Sequence, residues 1–297
     1  MRSGSVFFDL VELHGGYMMT MKSVSSEGSR FTANSPLLFS SREGVQKSIS
    51  PLMNIRLFGA PSAEMDERPV DRFRSQRVAA LFFYLVTVGE AQPRRTLAAL
   101  LWDEVDAAQA SANLSKALYH LPDALKPLIE AGRTEIAVRL PASASVDVRR
   151  FVALYHSAMA PGLHPDTRAS YFQQVIDLHQ GEFLDGFGRC GATGFVKWLD
   201  DERRRYRQIA ILAHGELLAY HAGRKMQLQA IRHATALLNL DRTHEATYRQ
   251  LIELFGRLGQ HDAAADVYRT CCQALQEASG ATPSTETIAV AAQFHLL

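Results

Sequence analysis

From Val148 to the C-terminus the apolar residues recur three and four positions apart, the spacing of one face of an α-helix. Ahead of that stretch the period keeps changing. Ile55, Leu57 and Gly59 alternate with Arg56 and Phe58, as along a strand. Val78, Leu81, Phe82 and Leu85 then take helical spacing, as do Leu97, Leu100, Leu101 and Trp102, and again Leu114, Ala117, Leu118 and Leu121. Two short strand-like runs follow, Leu128 to Glu130 and Glu135 to Leu140, joined through Ala131-Gly132-Arg133-Thr134 with its turn-forming glycine.

The punctuation fits. Ser75 is placed to cap the first helix and Gly89 to end it. Pro93 opens the second, and an acidic loop, Asp103 to Ala107, leads to a third from Ala108 to Leu121. Pro122 closes the third, because its ring excludes a helix hydrogen bond. Turn formers fill Pro61 to Pro69, and Val70 to Phe73 is expected to return as a short strand. Strand, three helices and hairpin is the order of a winged helix-turn-helix.

Beyond Val146-Asp147-Val148, helices are expected over 149–160, 166–179, 194–222, 224–239, 242–258, 260–278 and 284–294. A weak repeat runs through them. Ala222-Gly223-Arg224 and Leu258-Gly259-Gln260 lie 36 apart, and the same offset pairs Leu218 with Leu254 and Ile231 with Val267. That is close to the tetratricopeptide period of about 34, in which helix pairs stack because neither buries its apolar face alone. The expected fold is therefore mainly α: a winged helix-turn-helix over 53–147, then an all-α tetratricopeptide-like helical repeat domain over 148–297. Residues 1–52, rich in Ser and Gly, read either as a disordered tail or as a mis-assigned start ahead of Met53.

Bulk properties narrow the function by exclusion. With 47% apolar and 21% charged residues the chain is an ordinary globular one. Its apolar runs are shorter than the roughly 20 residues of a membrane span, and it lacks a leader pattern, so a cytoplasmic location without a membrane partner is expected. Cys190, Cys271 and Cys272 show no C-x-x-C spacing and read as small core residues. Neither a phosphate loop nor a nucleophile elbow nor a metal ligand set is present, so no enzyme activity, cofactor or metal is expected.

Several stretches, taken in order, carry a resemblance. They are Arg74 to Leu81, Leu97 to Trp102, Ala112 to Leu118, and the join Val146-Asp147-Val148 with Phe151. Gly181-Glu182-Phe183-Leu184, Trp198 to Arg203 and Gly280 to Thr287 continue it. Residues 53–150 resemble the OmpR-type winged helix, and 148–291 resemble the bacterial transcriptional activator domain of antibiotic-pathway regulators. The resemblance implies binding of double-stranded DNA through the third helix, with the wing beside it. It also implies that the helical domain mediates self-association, as a homo-dimer on DNA, and contacts with RNA polymerase or other transcription proteins.

On the third helix, Asn113, Ser115, Lys116, Tyr119 and His120 lie off the apolar stripe. Lys116 suits a guanine or phosphate and Asn113 an adenine, though the same residues also suit a solvated face. Arg74, Arg77, Arg94 and Arg95 sit at helix starts, where amide groups already favour anions, and Arg133 sits in the hairpin turn. The helix is poor in arginine for such a role. Residues 53–150 hold 13 Lys and Arg against 12 Asp and Glu, so one copy is weakly basic. Two other readings stay open: an adaptor whose winged helix no longer binds DNA, and the front module of a longer sensor.

In the helical half, Arg203-Arg204-Arg205-Tyr206-Arg207 follows Asp200-Asp201-Glu202. Pairs such as Asp200 with Arg204 and Asp201 with Arg205 are expected to neutralise it as a salt-bridged face. Phe195, Trp198, Tyr206 and Phe255 read as packing residues, and His214, His221, His233 and His244 as packing or surface.

Overall fold

The computed structural model describes residues 7–13, 16–22, 52–70, 72–189 and 192–296. It divides into two units, residues 1–48 and 49–297. In the first, β1 (Phe7–Leu13) and β2 (Gly16–Lys22) pair antiparallel, with Phe7 opposite Lys22. The sequence reading has no regular element there, because the apolar residues do not alternate; Phe, Val, Tyr and Thr nevertheless suit extended backbone. The other residues before Leu52 lie outside the described ones, as does Cys190.

The second unit opens with β3 (Met53–Arg56), antiparallel to β4 (Ser62–Met65), which turns into β5 (Arg68–Pro69). The returning strand is thus Arg68–Pro69 and not Val70 to Phe73. Asp66 and Glu67 both take positive φ, 50° and 63°, the two left-handed residues a tight hairpin turn requires. The chain therefore reverses earlier than its composition suggests. Val70 adds one bond, from its N–H to Ala63 O at 2.9 Å, before the chain leaves the sheet.

Helix α1 (Gln76–Val88) is capped as its sequence predicts: Ser75 Oγ accepts from the Val78 N–H, and Gly89 at φ 78° donates to Leu85 O. Val78 through Val86 are all buried, so α1 is the central helix around which the others pack. Next come β6 (Gln92–Pro93), α2 (Arg94–Leu101), α3 (Ala107–Tyr119), β7 (Ile129–Ala131) and β8 (Glu135–Val138). The last two strands and β6 form a sheet of order β6-β8-β7, the wing. Then β9 (Ser145–Val146) returns to lie parallel to β3, with Val146 opposite Ile55.

Helices α4 (Asp147–Ala158), α5 (Pro165–Leu178), α6 (Thr193–Gly223), α7 (Gln227–Leu240), α8 (Glu245–Arg257), α9 (His261–Ser279) and α10 (Thr285–Gln293) complete the chain. The fold is mainly α, a winged helix-turn-helix followed by an all-α, tetratricopeptide-like helical part. Leu218, Leu254, Ile231 and Val267, the residues of the weak repeat, meet in one satellite core. The structural repeat is 34 residues and not the expected 36. Met226 N–H to His221 O and Gln260 N–H to Phe255 O, both 2.9 Å, are the same turn 34 residues apart, and Lys225 and Gly259 hold its left-handed position. Gly223 ends α6, and the counterpart of Gly259 is Lys225.

The winged and helical parts share one apolar core that runs from Met53 to Leu217. The Phe58 ring stands 5.0 Å from Phe151 and 5.5 Å from Tyr206, and Phe58 bridges Phe183 through backbone. Asp147 seals the seam, its carboxylate accepting from the N–H groups of Leu57, Phe58 and Val148 at 2.7–2.9 Å. Burial pushes this carboxyl above the usual carboxylate range, although the three amide bonds pull it down.

The basic run of α6 is paired differently from expectation. Arg204 joins Asp201 and Arg205 joins Glu202, one turn back at three residues and not four. Arg203 and Arg207 reach across to Glu182, and Arg203 also donates to the carbonyls of Phe183 (2.8 Å) and Leu184 (2.9 Å). Arg203 is thereby a half-buried clamp on the loop before α6. Phe195 and Tyr206 are core, and Trp198 and Phe255 pack against it.

Candidate nucleic-acid interface

The third helix, α3, starts at Asp106, whose Oδ1 accepts from the Gln109 N–H at 2.9 Å. Ala110, Leu114 and Ala117, spaced at four and three, turn its buried face onto α1 and α2. The opposite face is open. Gln109, Ser115, Lys116 and Tyr119 are exposed, Tyr119 by 74%, and α4 to α10 do not cover them. The helix ends at His120, whose N–H bonds Lys116 O and Ala117 O just ahead of Pro122.

Lys116 has no partner among the described residues. Asn113 is half-buried, and its Oδ1 accepts from Gln109 Nε2 at 3.0 Å. Ser115 Oγ donates to Ser111 O and accepts from Arg94 Nη2 at 3.1 Å. Arg94, the first residue of α2, also bonds the wing turn, by its backbone N–H to Thr134 O at 2.8 Å and by Nη1 to Gly132 O at 3.4 Å. Arg133, next along that turn, is exposed, and so is Arg95 on α2. Arg94 thus links Ser115 on α3 to Gly132 and Thr134, the residues on either side of Arg133 in the wing turn.

Arg74 and His120 join the end of α3, with Arg74 Nη1 3.1 Å from His120 Nδ1. A guanidinium can only donate, so His120 Nδ1 is the acceptor of this bond. Arg77 forms an ion pair with Glu104 in the loop between α2 and α3. Sequence reasoning missed Lys126. Its ammonium lies 5.3 Å from the Tyr119 ring and 2.6 Å from Asp123 Oδ1, and it holds that carboxyl below the usual range. The signal was Pro122, which stops α3 and folds the following turn back beside Tyr119.

The loop after α2 also steadies the helical part. Asp103 accepts from the N–H groups of Thr193 (3.3 Å) and Gly194 (3.0 Å) at the start of α6, and those amides, Gly194 above all, lower its pKa. Gly194 packs closely there: a Cβ would stand 3.2 Å from Leu100 O, a tight contact. Among the described residues no group of three His, Cys, Asp or Glu side chains forms a cation site, and no helix is long and apolar enough to cross a membrane.

Residues 146–294 match the bacterial transcriptional activator domain. The chain belongs to that family. The activator domain begins where β9 passes into α4, so the helices behind the candidate interface are those of a bacterial transcription regulator. Among solved structures the chain is similar to Mycobacterium tuberculosis EmbR in complex with a low affinity phosphopeptide, at 18% identity and a TM-score of 0.65. That likeness, which shows the fold alone, covers 83% of this chain and 65% of the EmbR chain, under two thirds of its length. No curated protein sequence matches the chain.

Proposed function

We propose that this regulator binds promoter DNA with α3 in the major groove and the wing on the neighbouring backbone. The uncovered polar face of α3 carries the reading, because a helix enters a groove only if that face is free. Lys116 is then placed for a guanine or a phosphate, with Asn113, Ser115 and Tyr119 beside it. Arg94, Arg95, Arg133, Arg74 and His120 flank them, and Arg77 is the weakest member because Glu104 already offsets it. The division of labour puts DNA contact in 53–147, and self-association and contacts with RNA polymerase or its partners in 148–297, in the cytoplasm. The role is regulatory and not catalytic.

Few cations are free for phosphate, so two copies on repeated half-sites are the expected bound form. The test is a salt titration of binding to the protein's own upstream DNA. One copy that uses three to five cations gives a log–log slope of about −3 to −5. Lys116→Ala is expected to weaken specific binding by about 1–3 kcal/mol. A slope near zero, with no retardation of that DNA, favours the second reading, a protein adaptor; the internal pairing of Arg74 and Arg77 is the observation on its side.

A further inference from the structure

The end of α1, one face of α4 and one face of α6 enclose a cleft of about 560 Å³ that lies apart from the α3 surface. Its size falls within the range of small-molecule sites. Val88, Val152 and the half-buried Trp198 give it an apolar and aromatic lining. On its wall lies Arg149, half removed from water.

Arg149 spends Nε and Nη2 on one neutral acceptor, Val86 O, at 2.9 and 2.6 Å. Among the described residues no carboxylate pairs with it. Burial accordingly lowers its pKa. The carboxylate on the cleft wall, Glu202, is paired with Arg205 at 3.4 Å. A guanidinium so placed favours a planar anion, and the rings around it favour a flat apolar body.

We propose that this cleft binds a small amphipathic carboxylate, an aromatic acid of one or two rings, with its carboxylate on Arg149 and its ring against Trp198 and Val152. The walls come from the winged part (α1) and the helical part (α4 and α6), so the ligand would tie the two together. Binding of the acid does not depend on the DNA reading, and its test contains no DNA.

The probe is naphthoate, compared with its neutral amide, naphthamide, by titration calorimetry on the full chain. Naphthoate is expected to bind saturably at one site, and the amide at least about tenfold more weakly. Arg149→Met should erase that preference. Because Arg149 also holds Val86 O, a second variant, Val152→Trp, fills the cleft from α4 without removing the guanidinium, and should abolish binding with an unchanged melting temperature. Equal affinity for acid and amide, no saturable heat with the acid, or unchanged binding in a folded Val152→Trp protein would overturn the assignment.

Discussion

Arg94 Nη2 stands 3.1 Å from Ser115 Oγ, which ties the start of α2 to the exposed face of α3, and Nη1 of the same guanidinium reaches Gly132 O in the wing turn. One half-buried side chain thus ties together the two parts that would lie against a duplex. Arg94→Met keeps the stem and removes the brace. It should lower DNA affinity by roughly 1–2 kcal/mol and reduce the salt slope by about 1, with the circular dichroism spectrum unchanged. Fluorescence anisotropy at several salt concentrations reads both quantities.

Asp147 closes the seam between β3 and α4 by accepting from two amides at the end of β3. Asp147→Ala leaves the Leu57 and Phe58 N–H groups buried without acceptors, at a cost of about 2–4 kcal/mol. The urea midpoint should fall with little change in slope. A midpoint within error of the wild type would show that water replaces the carboxylate there.

His214 Nδ1 and His233 Nδ1 lie 3.2 Å apart, with His233 stacked on His221, so one proton serves the pair. Burial, then charge repulsion between the imidazoles, lowers both pKa values to about 4. In the unfolded chain they return to about 6.5, so between those values the unfolded state binds more protons. Stability from this site is complete above about pH 6.5 and is lost as pH falls towards 4. The thermal midpoint should drop by several degrees between pH 7 and pH 5, and His233→Leu should flatten that dependence.

Lys225 holds at φ 58° the left-handed position that Gly259 holds at φ 71° in the next repeat. A lysine there is strained by its Cβ, and a glycine is not. Lys225→Gly is expected to stabilise the protein by about 0.5–1 kcal/mol, and Gly259→Ala to destabilise it by about the same amount. Chemical denaturation of both variants checks the pair of signs.

Much of this was legible in the chain itself. Local rules set Ser75 and Gly89 as the limits of α1, Pro122 as the stop of α3, and the apolar stripe Leu114, Ala117, Leu118, because each depends on residues within one or two turns. Of the candidate interface, sequence supplied Lys116, Arg133 and Tyr119 as polar or exposed positions. It could not supply the partners of Arg77 and His120, since Glu104 and Arg74 are distant in the chain.

Periodicity, caps and breakers by themselves determined a strand, three helices and a hairpin followed by stacked helices, for these are short-range matters of backbone geometry and side-chain spacing. Tertiary structure alone decided which charges are spent and which are open. It gave Arg203 to loop carbonyls, Arg94 to the wing and Arg149 to a cleft, because the fate of a charge depends on burial and on partners that only folding brings near.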